Sequence, residues 1–149
     1  MDTNIVVNAG RSLNFQAYLH EEFDLFNPSY IRIISIVSAA ELLVIAPKGN
    51  LGERRIARQA RMLQMTLEVP LTQKTKVLYA ELDLYGRGKH PSKSLDSSTH
   101  RLMGKNDLWI AATAIEHGAE LITTDKDFSH LDGHFLKVHY IDADTVLKA

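Results

Sequence analysis

The chain has 149 residues, 45% hydrophobic, 7% aromatic and 23% charged, with a formal net charge of −1. That length predicts one domain over residues 1–149, large enough to fold on its own core. The absence of cysteine excludes a disulfide scaffold, thiolate zinc or iron–sulfur ligation and a cysteine nucleophile, and accords with a reducing, cytoplasmic setting. No secretory signal pattern opens the sequence. The most apolar stretch, 31–47, is interrupted by Arg32, Ser35, Ser38 and Glu41, and is too short and too polar for a bilayer span.

The near-neutral total conceals an uneven distribution. Residues 1–50 carry net −2, residues 51–106 net +6 and residues 107–149 net −5. An acidic end suits cations and a basic middle suits a polyanion. Charge blocks alone favour the plainer reading, in which folding intermixes them over a solvated surface.

In chain order, Asp2-Thr3-Asn4 reads as the end of a strand followed by a turn or helix cap, with no strand ahead of it but Met1. Residues 13–26 read as a helix stopped by Asn27-Pro28. The β-branched run 31–37 predicts a buried strand, and Ser38 opens a helix that ends by Pro47-Lys48-Gly49. Residues 52–67 form a helical pattern with Ile56, Leu63 and Leu67 on one face and Arg54, Arg58 and Arg61 nearly opposite. A short strand at 68–71 precedes a helix capped at Thr72 or Thr75 and running to about Tyr85. Residues 86–105 are a polar loop whose length suggests a binding or mobile segment. A helix then starts near Asn106 and ends at Gly118, a strand covers 121–124, and a last strand covers 136–141 before a short helical tail. Strands alternating with helices predict a three-layer α/β domain with a mostly parallel sheet.

Ligands of such sheets bind beyond the carboxyl ends of the strands. Asp2, Glu41, Asp107 and Asp125 fall there, with Asp127 close behind. Each has an ordinary explanation: Asp2 as a loose terminus, Glu41 in a Ser38-x-x-Glu41 capping box, Asp107 at a helix's positive end, Asp125 as a turn residue. Jointly they place about four negative charges at one edge, where carboxylates repel and favour protons or a hard divalent cation, Mg²⁺ or Mn²⁺. Such a cation with a bound water suffices to hydrolyse a phosphodiester.

These pieces, with Ser38-Ala39-Ala40-Glu41-Leu42, Asn106-Asp107-Leu108-Trp109-Ile110-Ala111-Ala112-Thr113-Ala114 and Leu121-Ile122-Thr123-Thr124-Asp125-Lys126-Asp127-Phe128, resemble PIN-domain ribonucleases, especially bacterial VapC-type toxins. The resemblance covers nearly the whole chain. It implies a PIN-like α/β/α fold and a Mg²⁺- or Mn²⁺-dependent endoribonuclease. Asp2, Glu41, Asp107 and Asp125 would be the catalytic and metal-binding acids, Asp127 a further ligand, and Thr3 and Thr124 the residues that orient them. It also implies a homodimer and a cognate antitoxin. Family members carry a strand of several residues before the first aspartate; here that first strand is missing, so a catalytically impaired PIN-like module that binds RNA or protein is the alternative.

Lys89, Lys93, Arg101 and Lys105 are the candidate phosphate contacts, ahead of the arginine helix. Trp109 reads as core. His130 and His134 flank Gly133 in a loop, which argues against a zinc pair. Gly86-Arg87-Gly88 lacks the context of a dinucleotide loop, and Gly88-Lys89 and Gly104-Lys105 lack the hydroxyl residue of a P-loop. A haloacid-type phosphatase needs an acid where Asn4 stands, and a receiver domain needs a lysine where Asp125 stands.

Overall fold

A computed structural model describes residues 1–25, 27–49, 52–95 and 101–148. In chain order these form α1 (Thr3–Arg11), α2 (Leu13–Phe23), β1 (Ile33–Ser35), α3 (Ile36–Lys48), α4 (Glu53–Gln64) and β2 (Leu67–Val69). They continue with α5 (Gln73–Gly86), α6 (Lys105–Glu116), β3 (Leu121–Thr123), a 3-10 turn (Lys126–Leu131), β4 (Val138–Tyr140) and α7 (Ala143–Lys148).

All pairing among the four strands is parallel. Ile33 lies opposite Leu67 and Ser35 opposite Val69; Leu121 lies opposite Val138 and Thr123 opposite Tyr140. Two residues join these two pairs. The Met1 ammonium donates to the Ile33 carbonyl at 2.9 Å, and the Asp2 amide donates to the Ile122 carbonyl at 3.1 Å. Met1 and Asp2 therefore lie between β1 and β3, where a central strand would run. On their amino side a cavity of about 560 Å³ opens, lined among others by Met1, Phe23, Ile31, Ile33, Glu120 and Ile122.

The expectation of a mostly parallel α/β fold without a full first strand matches this arrangement. Successive residues of β3 serve different clusters: Leu121 joins one with Leu82, Tyr85, Leu108, Ile110 and Phe128, while Ile122 packs against the other, built on Ile5, Val6, Phe15, Leu19 and Ile34. Each is formed chiefly by helices, which makes the three layers.

Several boundaries depart from the pattern reading. Thr3–Arg11 is a full helix, where only a cap or turn was read. Its Ile5, Val6, Val7 and Ala9 fall on one side of the helix and Asn4, Asn8 and Arg11 on the other, an amphipathic pattern only nine residues long. The strand expected over 31–37 is only Ile33–Ser35. Helix α3 begins at Ile36, because the Ser35 hydroxyl accepts from the Val37 amide and caps it three residues before Ser38. The predicted cap at Thr72 holds, with a reciprocal bond from the Thr72 amide to Thr75 Oγ1 at 2.8 Å. The middle of the polar loop, 96–100, lies outside the described residues; the described parts of 87–104 hold no helix or strand. Among the described residues no helix is long and apolar enough to cross a membrane.

Candidate active site

The elements bring the sequence-predicted acids to one edge. Asp2 precedes α1, Glu41 lies in the second turn of α3, Asp107 in the first turn of α6, and Asp125 directly precedes the 3-10 turn. The Asp107 carboxyl registers all the others. Its pKa is pushed up to about 6, first by burial and then by the charges of Asp2, Asp125, Glu41 and Asp127. Its helix's positive end is outweighed by that combination. Gly104 leaves room for this carboxylate, since a Cβ there would sit 2.7 Å from Asp107 Oδ2.

Asp2 is not a loose terminus: it is only 2% exposed. Burial raises its pKa, against the hydrogen bond from Thr123, which favours the ionised form. Thr123 Oγ1 donates to Asp2 Oδ2 at 2.7 Å and accepts from the Asp125 amide at 3.0 Å. One hydroxyl thus ties the first acid to the fourth. Of the two threonines it is Thr123 that makes these bonds, because strand alternation turns it into the interior, while Thr124, expected to orient the acids, stays half-buried.

Glu41 is not a capping-box partner. Ser38, which would be the cap, lies inside α3 with its hydroxyl buried and without a partner among the described residues. Glu41 instead accepts from Thr3 Oγ1 on one oxygen and from Asn106 Nδ2 at 2.8 Å on the other. Asn106 was missed as a site residue; its position beside Asp107 at the start of a helix was the available signal. Asp125 keeps its turn role too, accepting from the Asp127 amide at 2.8 Å. Asp127 itself is exposed.

The donor set is all carboxylate oxygen, with no thiolate and no imidazole, which fits a hard cation such as Mg²⁺ or Mn²⁺. The spacing is open: among the described residues no three Asp, Glu or His side chains stand together closely enough to hold a metal ion.

The expected phosphate contacts separate. Arg101 lines two concavities, one of them reaching Asp127. Lys105 opens α6, two residues before Asp107, and is exposed. Lys93 is turned elsewhere, donating to the His134 carbonyl at 2.8 Å with its ammonium 4.8 Å from the Phe135 ring centroid. Lys89 is exposed just past α5, where its amide caps Leu84.

The PIN-domain family profile matches residues 1–134. The protein named Ribonuclease VapC1 from Haemophilus influenzae strain R2866 is 28% identical over 135 residues, covering 88% of this chain and 90% of that protein. Its counterpart from strain KW20 Rd is 27% identical over the same span. Among solved structures, VapBC2 from Rickettsia felis bound to a promoter DNA fragment superposes with a TM-score of 0.67 at 24% identity, covering 93% of this chain and 94% of that one. FitAB bound to the IR36 DNA fragment gives 0.65 at 21% identity, covering 93% and 92%. Matching 134 residues from Met1 onward, and with the acids set at the carboxyl edge of a parallel sheet, this chain belongs to the PIN-domain family.

Proposed function

We propose that the chain is a Mg²⁺- or Mn²⁺-dependent endoribonuclease and the toxin of a toxin–antitoxin pair, working in the cytoplasm as a homodimer. The observation that carries the reading is the Asp107 carboxyl, whose pKa is pushed up to about 6 first by burial and then by the charges of Asp2, Asp125, Glu41 and Asp127. A cluster of that kind is unfavourable bare and favourable around a divalent cation. Proteins similar to the chain are named as ribonucleases, and neighbouring structures as VapBC and FitAB assemblies, which supports an antitoxin partner.

Asp2, Glu41, Asp107 and Asp125 would hold the metal, with Asp127 as a further oxygen donor. A bound divalent ion would supply a water of lowered pKa and neutralise charge that develops on the phosphate. The chain's own residues set the geometry. Thr3 and Asn106 occupy one oxygen each of Glu41 and fix its plane. Thr123 aligns Asp2 with the backbone of Asp125. Lys105, two residues before Asp107, and Arg101, which shares a concavity with Asp127, would contact the polyanion.

Asp107→Asn and Asp125→Asn should each abolish divalent-dependent cleavage of RNA while the folded signal in circular dichroism persists. Wild-type rates in both variants would refute the assignment. The alternative, an impaired module that binds without cutting, draws support from the open spacing of the acids. Calorimetric titration with Mn²⁺ separates the two: the enzyme takes up the ion at the acid cluster and loses that binding in Asp107→Asn, whereas the impaired module shows none.

A further inference from the structure

At the end of the sheet opposite the acids, the cavity of about 560 Å³ is bounded by two strand edges with unused hydrogen-bonding groups. The Leu67 amide donates to the Arg32 carbonyl at 2.7 Å, so the backbone of Arg32 and Ile34 turns to β2 and that of Ile31 and Ile33 turns to the cavity. On β3 the Leu121 amide donates to the Lys137 carbonyl and the Thr123 carbonyl accepts from Ile141, both at 2.8 Å, so the backbone of Ile122 faces the cavity. Met1 takes the Ile33 carbonyl and Asp2 takes the Ile122 carbonyl. Among the described residues the amides of Ile31, Ile33 and Ile122 donate to no backbone group. Bare backbone amides call for acceptors, and two facing edges bridged by a single stretch of chain call for one strand.

The lining says what kind of strand fits. Its body is apolar: Phe23, Ile33 and Ile122 line the cavity, and Ile31 beside them is 83% exposed. Its entry is basic, because Glu21, Glu22 and Glu120 are exposed on the same lining. Glu120 meets His139 at 2.6 Å, but among the described residues neither Glu21 nor Glu22 is in an ion pair. The nearby Arg32 guanidinium does not neutralise them, since it donates to the carbonyls of Leu25, Asn27 and Met65. The far end is blocked. Met1 holds the next place along the strand line, and the chain turns into α1 directly behind it. A segment that continues the parallel register of Met1 and Asp2 has to stop there, so it is a carboxyl-terminal tail.

We propose that this slot docks the apolar carboxyl-terminal tail of another polypeptide, which enters as a parallel strand between β1 and β3 with a basic residue at the mouth. Carbonyls of the tail take the bare amides of Ile33 and Ile122, and the bonds it makes are those of strand addition. At about 3.3 Å per residue, the stretch facing Ile31 to Ile33 holds about three or four residues of the tail. The inference is independent of the nuclease reading and uses none of the acidic side chains at the opposite end.

The test titrates the full chain into an amino-terminally labelled fluorescent peptide, Lys-Lys-Ile-Val-Ile-Val, with a free carboxyl end. Saturable binding that raises Tm with peptide concentration is expected. Two alanines added after the last valine should weaken binding about 10-fold or more, because Met1 stands in their path; the same two placed ahead of the lysines should not. Ile31→Pro removes an amide that the free chain leaves unbonded, so it should weaken binding about 10-fold with the Tm of the free chain kept. Glu21→Lys combined with Glu22→Lys should weaken it several-fold in low salt and little in high salt. If Ile31→Pro fails to fold, the charge variant and the two extended peptides decide. Absence of saturable binding, or equal affinity for the carboxyl-extended peptide, would overturn the docking site. Exclusion of the amino-extended peptide instead would overturn parallel entry. Affinity unchanged in the folded variants would put the peptide elsewhere on the surface and overturn the slot as its site.

Discussion

The two ends of β1 and β3 are finished in opposite ways. At their carboxyl ends, five acids from the caps of α1 and the 3-10 turn, from α3, from α6 and from that turn lie within electrostatic reach of one another. At their amino ends the same two strands part around a cavity, bridged where the Met1 ammonium meets Ile33 and the Asp2 amide meets Ile122. One end concentrates negative charge with too few counter-charges; the other buries a single positive one. Burial pushes the Met1 ammonium down to about 6, just as it helps push Asp107 up to about 6. Asp2 sits between them, buried in both senses: its side chain belongs to the acidic end and its backbone to the bridge. The lesson is that the backbone of Asp2 is tied to Ile122 of β3 while the Thr123 hydroxyl, from the same strand, holds its side chain.

The sharpest way to break this comparison is to cut those bonds. Thr123→Val keeps the volume of the side chain but removes the donor to Asp2 and the acceptor for the Asp125 amide. Outer residues of metal sites typically affect affinity or activity by about 10–100-fold, and a loss of cleavage in that range is expected here. Thr124→Val should remain close to wild type. Equal effects at the two positions would mean that the Thr123 hydroxyl does not position Asp2.

Stability against pH tests both ends in one experiment. The Asp107 pKa is raised by folding from its ordinary 3.8, so the folded chain holds the extra proton and stability falls as pH rises from about 4 to about 6. The Met1 ammonium is lowered by folding from its ordinary 8.0, so the unfolded chain holds the extra proton and stability climbs from about pH 6 to 8. A shallow minimum near pH 6 is expected in metal-free buffer. The amine limb amounts to about 2 kcal/mol. Acetylating the Met1 nitrogen should flatten that limb alone. Mn²⁺ at about 100 times its dissociation constant should add about 2.7 kcal/mol at pH 7.5, and less at pH 5, where Asp107 keeps its proton. Calorimetric scans with equal Mn²⁺ shifts at both pH values would separate the ion from this carboxylate.

The same contrast governs what was legible in the sequence. The segment 105–131 was readable almost residue by residue. Its helix has a clear start, Gly118 at φ +59° ends it, and Leu121–Thr123 is a short buried strand bounded by polar turns. The amino-terminal half was harder. Helix α1 is rich in β-branched residues, so propensity speaks against it, although its apolar residues do share one side. Helix α3 opens with Ile36 and Val37, good strand formers on sequence alone, because Ser35 caps it and the end of β1 forces the turn. Partners of the acids were the least visible part. Thr123 and Thr124 look alike until the strand sets which one faces inward, and Asn106 reaches Glu41 across 65 positions of sequence. Types and order of acids are local; their orienting bonds are tertiary.

The smallest expected effect concerns Ser38, the residue whose spacing to Glu41 suggested a capping box. Its side chain is fully buried in α3, and its hydroxyl finds no partner among the described residues. A buried hydroxyl without a hydrogen bond is unfavourable, and alanine is the better helix former. Ser38→Ala should therefore stabilise the protein by about 1 kcal/mol, raising Tm by about 2–4 °C, where a true cap would have lost a similar amount. Cleavage should not change, since Glu41 is oriented by Thr3 and Asn106. A drop in cleavage with Tm preserved would place the Ser38 hydroxyl among the groups that serve the carboxyl end. Helix α3 would then contribute two side chains to the acid site, and Glu41 would not be its sole representative.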